Sequence, residues 1–122
     1  MRININKRGE KLAKKDYKKT KEYKEIRASL IAQLEEGGNN TPFFIGLVED
    51  YMKLYVIKNE LVDDIEERGV VCFYKNGKDQ YGFKENKSVN DMIKVSGQML
   101  RILSQLKIQP KEAISNEEDD EL

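Results

Sequence analysis

The stretch from Thr41 to Gly69 constrains this chain most, because it reads as one uninterrupted helix. Thr41 suits an N-cap, where its hydroxyl can accept an orphan backbone N–H. Pro42 suits the first helical position, which needs no N–H. Gly69 suits the left-handed residue just past the end. About 26 residues lie between, roughly 39 Å at 1.5 Å per residue. Phe44, Leu47, Tyr51, Leu54, Leu61 and Ile65 repeat at three and four. Phe43, Val48, Met52, Tyr55, Val56, Ile57 and Val62 widen that stripe onto neighbouring faces. A single buried face needs only about 100° of arc. The surplus predicts self-association. The competing arrangement is a central helix wrapped by its own hairpin and helices.

The core available for such wrapping is small, since 36% of the 122 residues are charged and the mean hydropathy is −0.73. One domain at most is expected. Formal charge is zero, but it is segregated. Residues 1–27 hold eleven Lys/Arg against four Asp/Glu, a net of +7. Residues 28–67 hold two against nine, a net of −7, and residues 111–122 hold one against six, a net of −5. A basic arm and an acidic tail on one chain are interaction devices.

The chain divides into a basic segment over 1–40, a core over 41–110 and a solvated acidic tail over 111–122. Residues 1–15 are too polar to order themselves. A helix is expected from about Asp16 to Glu36, with Tyr23, Ile26, Leu30 and Leu34 on one face. Gly37-Gly38-Asn39-Asn40 breaks it and leaves its orientation variable. After Gly69 the period turns from helical to alternating. Val70–Tyr74 and Asp79–Phe83 read as a hairpin about Asn76-Gly77. A two-residue loop would pair Tyr74 with Asp79, Cys72 with Tyr81 and Val70 with Phe83. The buried face would then carry Val70, Cys72, Tyr74, Tyr81 and Phe83. A lone hairpin is marginal in water, so a helix or the next subunit must support it. Ser88, with Asp91 three residues on, reads as the cap of a last helix. Its stripe is Val89, Met92, Ile93, Met99, Leu100, Leu103 and Leu106, with Ser96 and Gly97 allowing close helix approach. The fold class is therefore mainly α with a small β-hairpin. The long central helix, hairpin and closing helix form the oligomerisation core, and a basic N-terminal helix precedes them.

Catalytic signals are missing. The chain has no histidine and no phosphate-binding glycine loop. Its single cysteine, Cys72, reads as a small buried hydrophobe. Asp63, Asp64, Glu66 and Glu67 read as a solvated acidic face, since helix neighbours point in several directions. No catalytic residue, metal site or cofactor is expected. The first residues carry no secretory apolar core, and no apolar run reaches membrane-spanning length. With a single cysteine and hence no disulfide framework within one chain, a reducing, cytoplasmic setting without a membrane partner is expected.

Basic residues give the positive lead. Lys7, Arg8, Lys11, Lys14, Lys15, Lys18, Lys19, Lys21, Lys24 and Arg27 form the DNA-contact set, with Tyr17 and Tyr23 among them. Such a stretch attracts phosphate by counterion release without reading sequence. A merely soluble N-terminus is the bland alternative. The oligomerisation set is Phe44, Leu47, Val48, Tyr51, Leu54, Tyr55, Leu61 and Ile65, with Phe73 on the hairpin.

The succession from about Thr41 to Pro110 resembles the small terminase subunit of tailed bacteriophages, in the P27-like family. The likeness is carried by Tyr51-Met52 through Leu61, and by Ile65-Glu66-Glu67-Arg68-Gly69-Val70-Val71. It continues through Asn76-Gly77, Asn86-Lys87-Ser88 and Met99-Leu100-Arg101-Ile102-Leu103 to the ending Leu106-Lys107-Ile108-Gln109-Pro110. Related chains often return from the hairpin through prolines, where this one has Tyr81-Gly82-Phe83-Lys84-Glu85. The resemblance implies a ring-forming, non-catalytic adaptor in the cytoplasm of the bacterial host. It would bind double-stranded viral DNA near the packaging start and present it to the large terminase subunit. The alternatives are a small oligomeric DNA-binding regulator and a helical scaffold without nucleic-acid binding.

Overall fold

A computed structural model describes residues 15–108. A short 3-10 turn, Tyr17–Lys19, precedes helix α1, Lys21–Glu36. Helix α2, Pro42–Arg68, leads into strands β1, Val71–Asn76, and β2, Gln80–Glu85. Helix α3, Lys87–Leu106, closes the chain. The architecture is mainly helical with one two-stranded antiparallel sheet. The arm read over residues 1–15 as too polar to order itself lies outside the described residues except for Lys15, and so does the acidic tail over 111–122.

Capping explains where the first helix begins. The expected start at Asp16 divides in two. Asp16 accepts from the Lys18 amide and closes the 3-10 turn, while the Thr20 hydroxyl accepts from the Tyr23 amide and caps α1. At the other end, the Asn39 amide reaches the Leu34 carbonyl and the Gly38 amide reaches that of Glu35. Gly38 holds φ 72°, so this double bond pattern ends the helix through a left-handed residue.

Pro42 occupies the first turn of α2 as expected, but Thr41 makes no side-chain capping bond. Gly69 ends the helix at φ 82° and ψ 176°, a region essentially open to glycine alone.

The core is built from all three helices. Leu30 and Leu34 of α1, Val48, Met52 and Tyr55 of α2, and Met99, Ile102 and Leu106 of α3 are buried together with Tyr17. On α2 the deepest line is therefore Val48–Met52–Tyr55. The expected stripe of Phe44, Leu47, Tyr51 and Leu54 lies beside that line and is only half-buried. Position 102 belongs to the buried face of α3, whereas Ile93 and Leu100 are 58% and 68% exposed. Gly97 meets nothing within 4 Å of a Cβ position, so close approach at that residue is not used inside the chain.

The linker does not leave α1 free. Arg27 grips Glu49 of α2 with two bonds of 2.8 and 3.2 Å. The Tyr55 hydroxyl donates to Glu22 at 2.6 Å, and the Tyr23 and Tyr55 rings meet edge to face at 5.9 Å.

The hairpin forms in a different register from the expected one. Phe73 pairs with Phe83, Tyr74 with Gly82, Lys75 with Tyr81 and Asn76 with Gln80. The loop is thus Gly77-Lys78-Asp79, three residues, with Gly77 at φ 78°. Cross-strand aromatic pairing accounts for the choice: the Phe73 and Phe83 rings stand 5.8 Å apart, with Tyr81 6.4 Å from Phe73. Val71, Phe73, Tyr81 and Phe83 then share one face, and each is more than half exposed. On the opposite face the Tyr74 ring lies over Gly82, where a Cβ would stand 3.3 Å from the ring.

Candidate nucleic-acid and assembly surfaces

The hairpin is fastened to the helices by a buried polar clasp that the sequence reading missed. Asp64 is only 6% exposed, not part of a solvated face. Its carboxylate accepts two bonds from Arg68, both 2.8 Å, and one from the Ser88 hydroxyl at 2.6 Å. Ser88 is therefore not the cap of α3. Asn86 caps it, accepting from the Ser88 amide at 3.0 Å and from Arg68 at 2.8 Å. The Asn86 side chain also donates to the Gly69 carbonyl at 2.9 Å, and its backbone N–H to the Val70 carbonyl. One end of the hairpin is thus tied to the other, to the end of α2 and to the start of α3. Two spacings hint at this clasp: Asp64 precedes Arg68 by one helical turn, and Asn86 precedes Ser88 by the two residues of an Asx turn.

The described basic candidates fall into two groups. Lys15, Lys18, Lys19, Lys21 and Lys24 are exposed along the 3-10 turn and the start of α1. Lys15 stands 4.9 Å over the Tyr17 ring, and Lys21 is 3.7 Å from Glu25 in a largely exposed pair. Arg27 differs, because its guanidinium is engaged by Glu49. That hydrogen bond raises the Arg27 pKa and lowers that of Glu49. Arg27 is a fastener between helices rather than a spare cation. Lys7, Arg8, Lys11 and Lys14 lie outside the described residues. Tyr17 is buried, and its hydroxyl donates to Asp63 of α2, so the start of the basic run is pinned to the long helix.

The two core tyrosines carry a pH dependence. Burial first, then the hydrogen bond to Glu22, pushes the Tyr55 phenol up to about 12. Burial and the bond to Asp63 likewise raise Tyr17. Both groups are neutral in the fold, whereas an unfolded phenol ionises near pH 10. Their contribution is complete below pH 10 and is lost as pH rises toward 12. Tyr55→Phe is expected to cost about 1 kcal/mol at neutral pH. It should also flatten the loss of stability between pH 10 and 11.5, measured by urea unfolding. An alkaline limb as steep as in the parent would contradict this.

The proposed assembly residues also separate. Val48 is 0% and Tyr55 8% exposed, so the fold itself consumes both. Phe44, Leu47, Tyr51 and Leu54 are half-buried and pack on the core. Leu61 and Ile65 are half-buried without belonging to the core or to the residues packed against it. Ile57 on α2 and Phe73 on β1 are exposed. Among the described residues no helix is long and apolar enough to cross a membrane, and no acid or cysteine cluster could hold a metal ion.

The described residues thus form a helix–hairpin–helix unit with a basic lead-in and partly exposed apolar surface. The chain matches the family described as phage terminase, small subunit, over residues 23–120, and it belongs to that family. No curated protein and no solved structure gives a significant match.

Proposed function

We propose that this phage terminase small subunit, of the P27-like branch, is a ring-forming, non-catalytic adaptor. It binds double-stranded viral DNA at the packaging start and recruits and regulates the large terminase subunit in the host cytoplasm. One observation carries the reading: five exposed lysines lead into a core that leaves Ile57, Leu61 and Ile65 of α2 outside its own packing. Copies joined through that surface repeat the basic segment around the assembly, so weak phosphate contacts add as a multivalent grip. Lysine outnumbers arginine in the segment, which favours backbone contact over base reading.

Truncation at residue 27 would be a poor test, because it removes Tyr17, Glu22 and Tyr23 from the fold. Neutralising Lys15, Lys18, Lys19, Lys21 and Lys24 to Gln leaves those contacts in place. For the parent chain, log K for duplex DNA is expected to fall with log salt at a slope of about −5 or steeper. The five-Gln variant should lose most of that slope and about 100-fold in affinity at 0.1 M salt. Unchanged affinity and slope would remove this segment from the DNA interface.

A further inference from the structure

The hairpin contributes nothing to the core: neither its buried residues nor the apolar ones packed against them come from β1 or β2. Its aromatic face is nonetheless built with care. Phe73 and Phe83 pair directly, Tyr81 flanks them, and the three are 58%, 75% and 65% exposed. A two-stranded sheet is marginal in water unless something covers it. The clasp of Asp64, Arg68, Asn86 and Ser88 holds its base, so the arm is positioned but uncovered.

Charge identifies the cover. The hairpin, residues 71–85, holds three Lys against two acids, a net of +1, while residues 57–67 of α2 hold one Lys against five acids, a net of −4. At the hairpin, Lys75 sits on the aromatic face opposite Tyr81, and Lys78 lies in the loop. On α2, Glu66 and Glu67 are exposed. No ion pair among the described residues engages any of these four. Six residues of strand span about 20 Å, which carries the loop well away from the end of α2 that precedes it.

We propose that the aromatic face of the hairpin docks on the acidic outer surface of α2, around Ile57 to Glu67, in a second copy of the chain. Lys75 and Lys78 then meet the Glu66 and Glu67 carboxylates of that copy. The contact is heterologous, arm to helix, and repetition of such a contact closes a ring when the rotation permits. It rests on the assembly reading above and assigns the surfaces.

The test places a photo-crosslinking phenylalanine analogue at position 83 of the full chain, in assemblies mixed from natural-abundance and 15N-labelled copies. Mixed-isotope crosslinks into residues 50–67 are expected. Phe73→Ser with Phe83→Ser should raise the concentration for half-assembly about tenfold or more, with helix content unchanged, since both side chains are exposed. Lys75→Glu with Lys78→Glu should weaken assembly similarly, and adding Glu66→Lys with Glu67→Lys should restore it. Crosslinks confined to one chain, or to the large subunit when both proteins are present, would overturn the proposal. So would parent-like assembly by the serine variant, or failure of the charge swap to restore it. A parent chain that is monomeric throughout would refute the assembly reading itself, whereas an intact parent assembly with any of those results refutes only the hairpin contact.

Discussion

Leu61→Asp is expected to reduce the protein to folded monomers at micromolar concentration. Leu61 is half-buried and stands outside the core, so a carboxylate there can stay hydrated in an isolated chain. In the proposed assembly the same position is covered by a neighbour. Leu61 is already half-buried in its own chain, so each contact would lose about 1 kcal/mol of further apolar burial. It would also have to desolvate a charge without a partner, which costs several times more unless the group protonates. At 1.4 kcal/mol per factor of ten, every interface weakens by at least about 100-fold. Sedimentation velocity would follow the loss of the large species, and circular dichroism the retained helix content. Val48→Ala is the natural comparison. Val48 is 0% exposed within its own chain, so its truncation should lower the unfolding midpoint before it touches assembly. Parent-like assembly by the Leu61 variant would remove this part of α2 from the interface.

Asn86→Ala is expected to cost the fold about 3 kcal/mol, a large share of the 5–15 kcal/mol typical of a domain. Asn86 is 1% exposed, and its side chain makes three bonds. Loss of the cap alone is worth about 1 kcal/mol. The Gly69 carbonyl and the Arg68 guanidinium each lose a bond to this buried side chain, and such bonds are worth about 1 kcal/mol each. Asn86→Asp should fall between parent and alanine variant. It keeps the acceptor for Ser88 and Arg68, but it loses the donor to Gly69 and brings a second carboxylate near Asp64. Urea unfolding measures the cost, and amide exchange in β1 and β2 shows whether the hairpin loosens first. An alanine variant as stable as the parent would mean that the clasp is incidental.

The helices were legible because their signals are local and repeated. Pro42 and Gly69 bracket α2, and Tyr23, Ile26, Leu30 and Leu34 do turn one face of α1 inward. The Asn76-Gly77 pair marked the hairpin, but register depends on which side chains meet across it. The Phe73–Phe83 pair and a three-residue loop prevailed over the shorter loop that the dipeptide suggests. From sequence Asp64 reads as solvated, because three acids lie beside it. Its partner Ser88 arrives from 24 residues away, and Asn86 meets Arg68 from 18 residues away, so the local spacings hint at each half of the clasp but not at their meeting. Arg27 groups with the lysines in sequence for a similar reason, since charge alone does not distinguish a cation facing solvent from one facing Glu49. The width of the apolar stripe on α2 was visible in sequence. Its division into a core line at Val48, Met52 and Tyr55 and an outer line at Leu61 and Ile65 was not, because that depends on where α1 and α3 lie.

Native mass spectrometry of the full 14.2 kDa chain, at micromolar concentration and with duplex DNA absent and then present, tests the central claim most directly. A single closed species at several multiples of the chain mass, retained when DNA is added and carrying that DNA, is the expected result. A monomer under both conditions would contradict it.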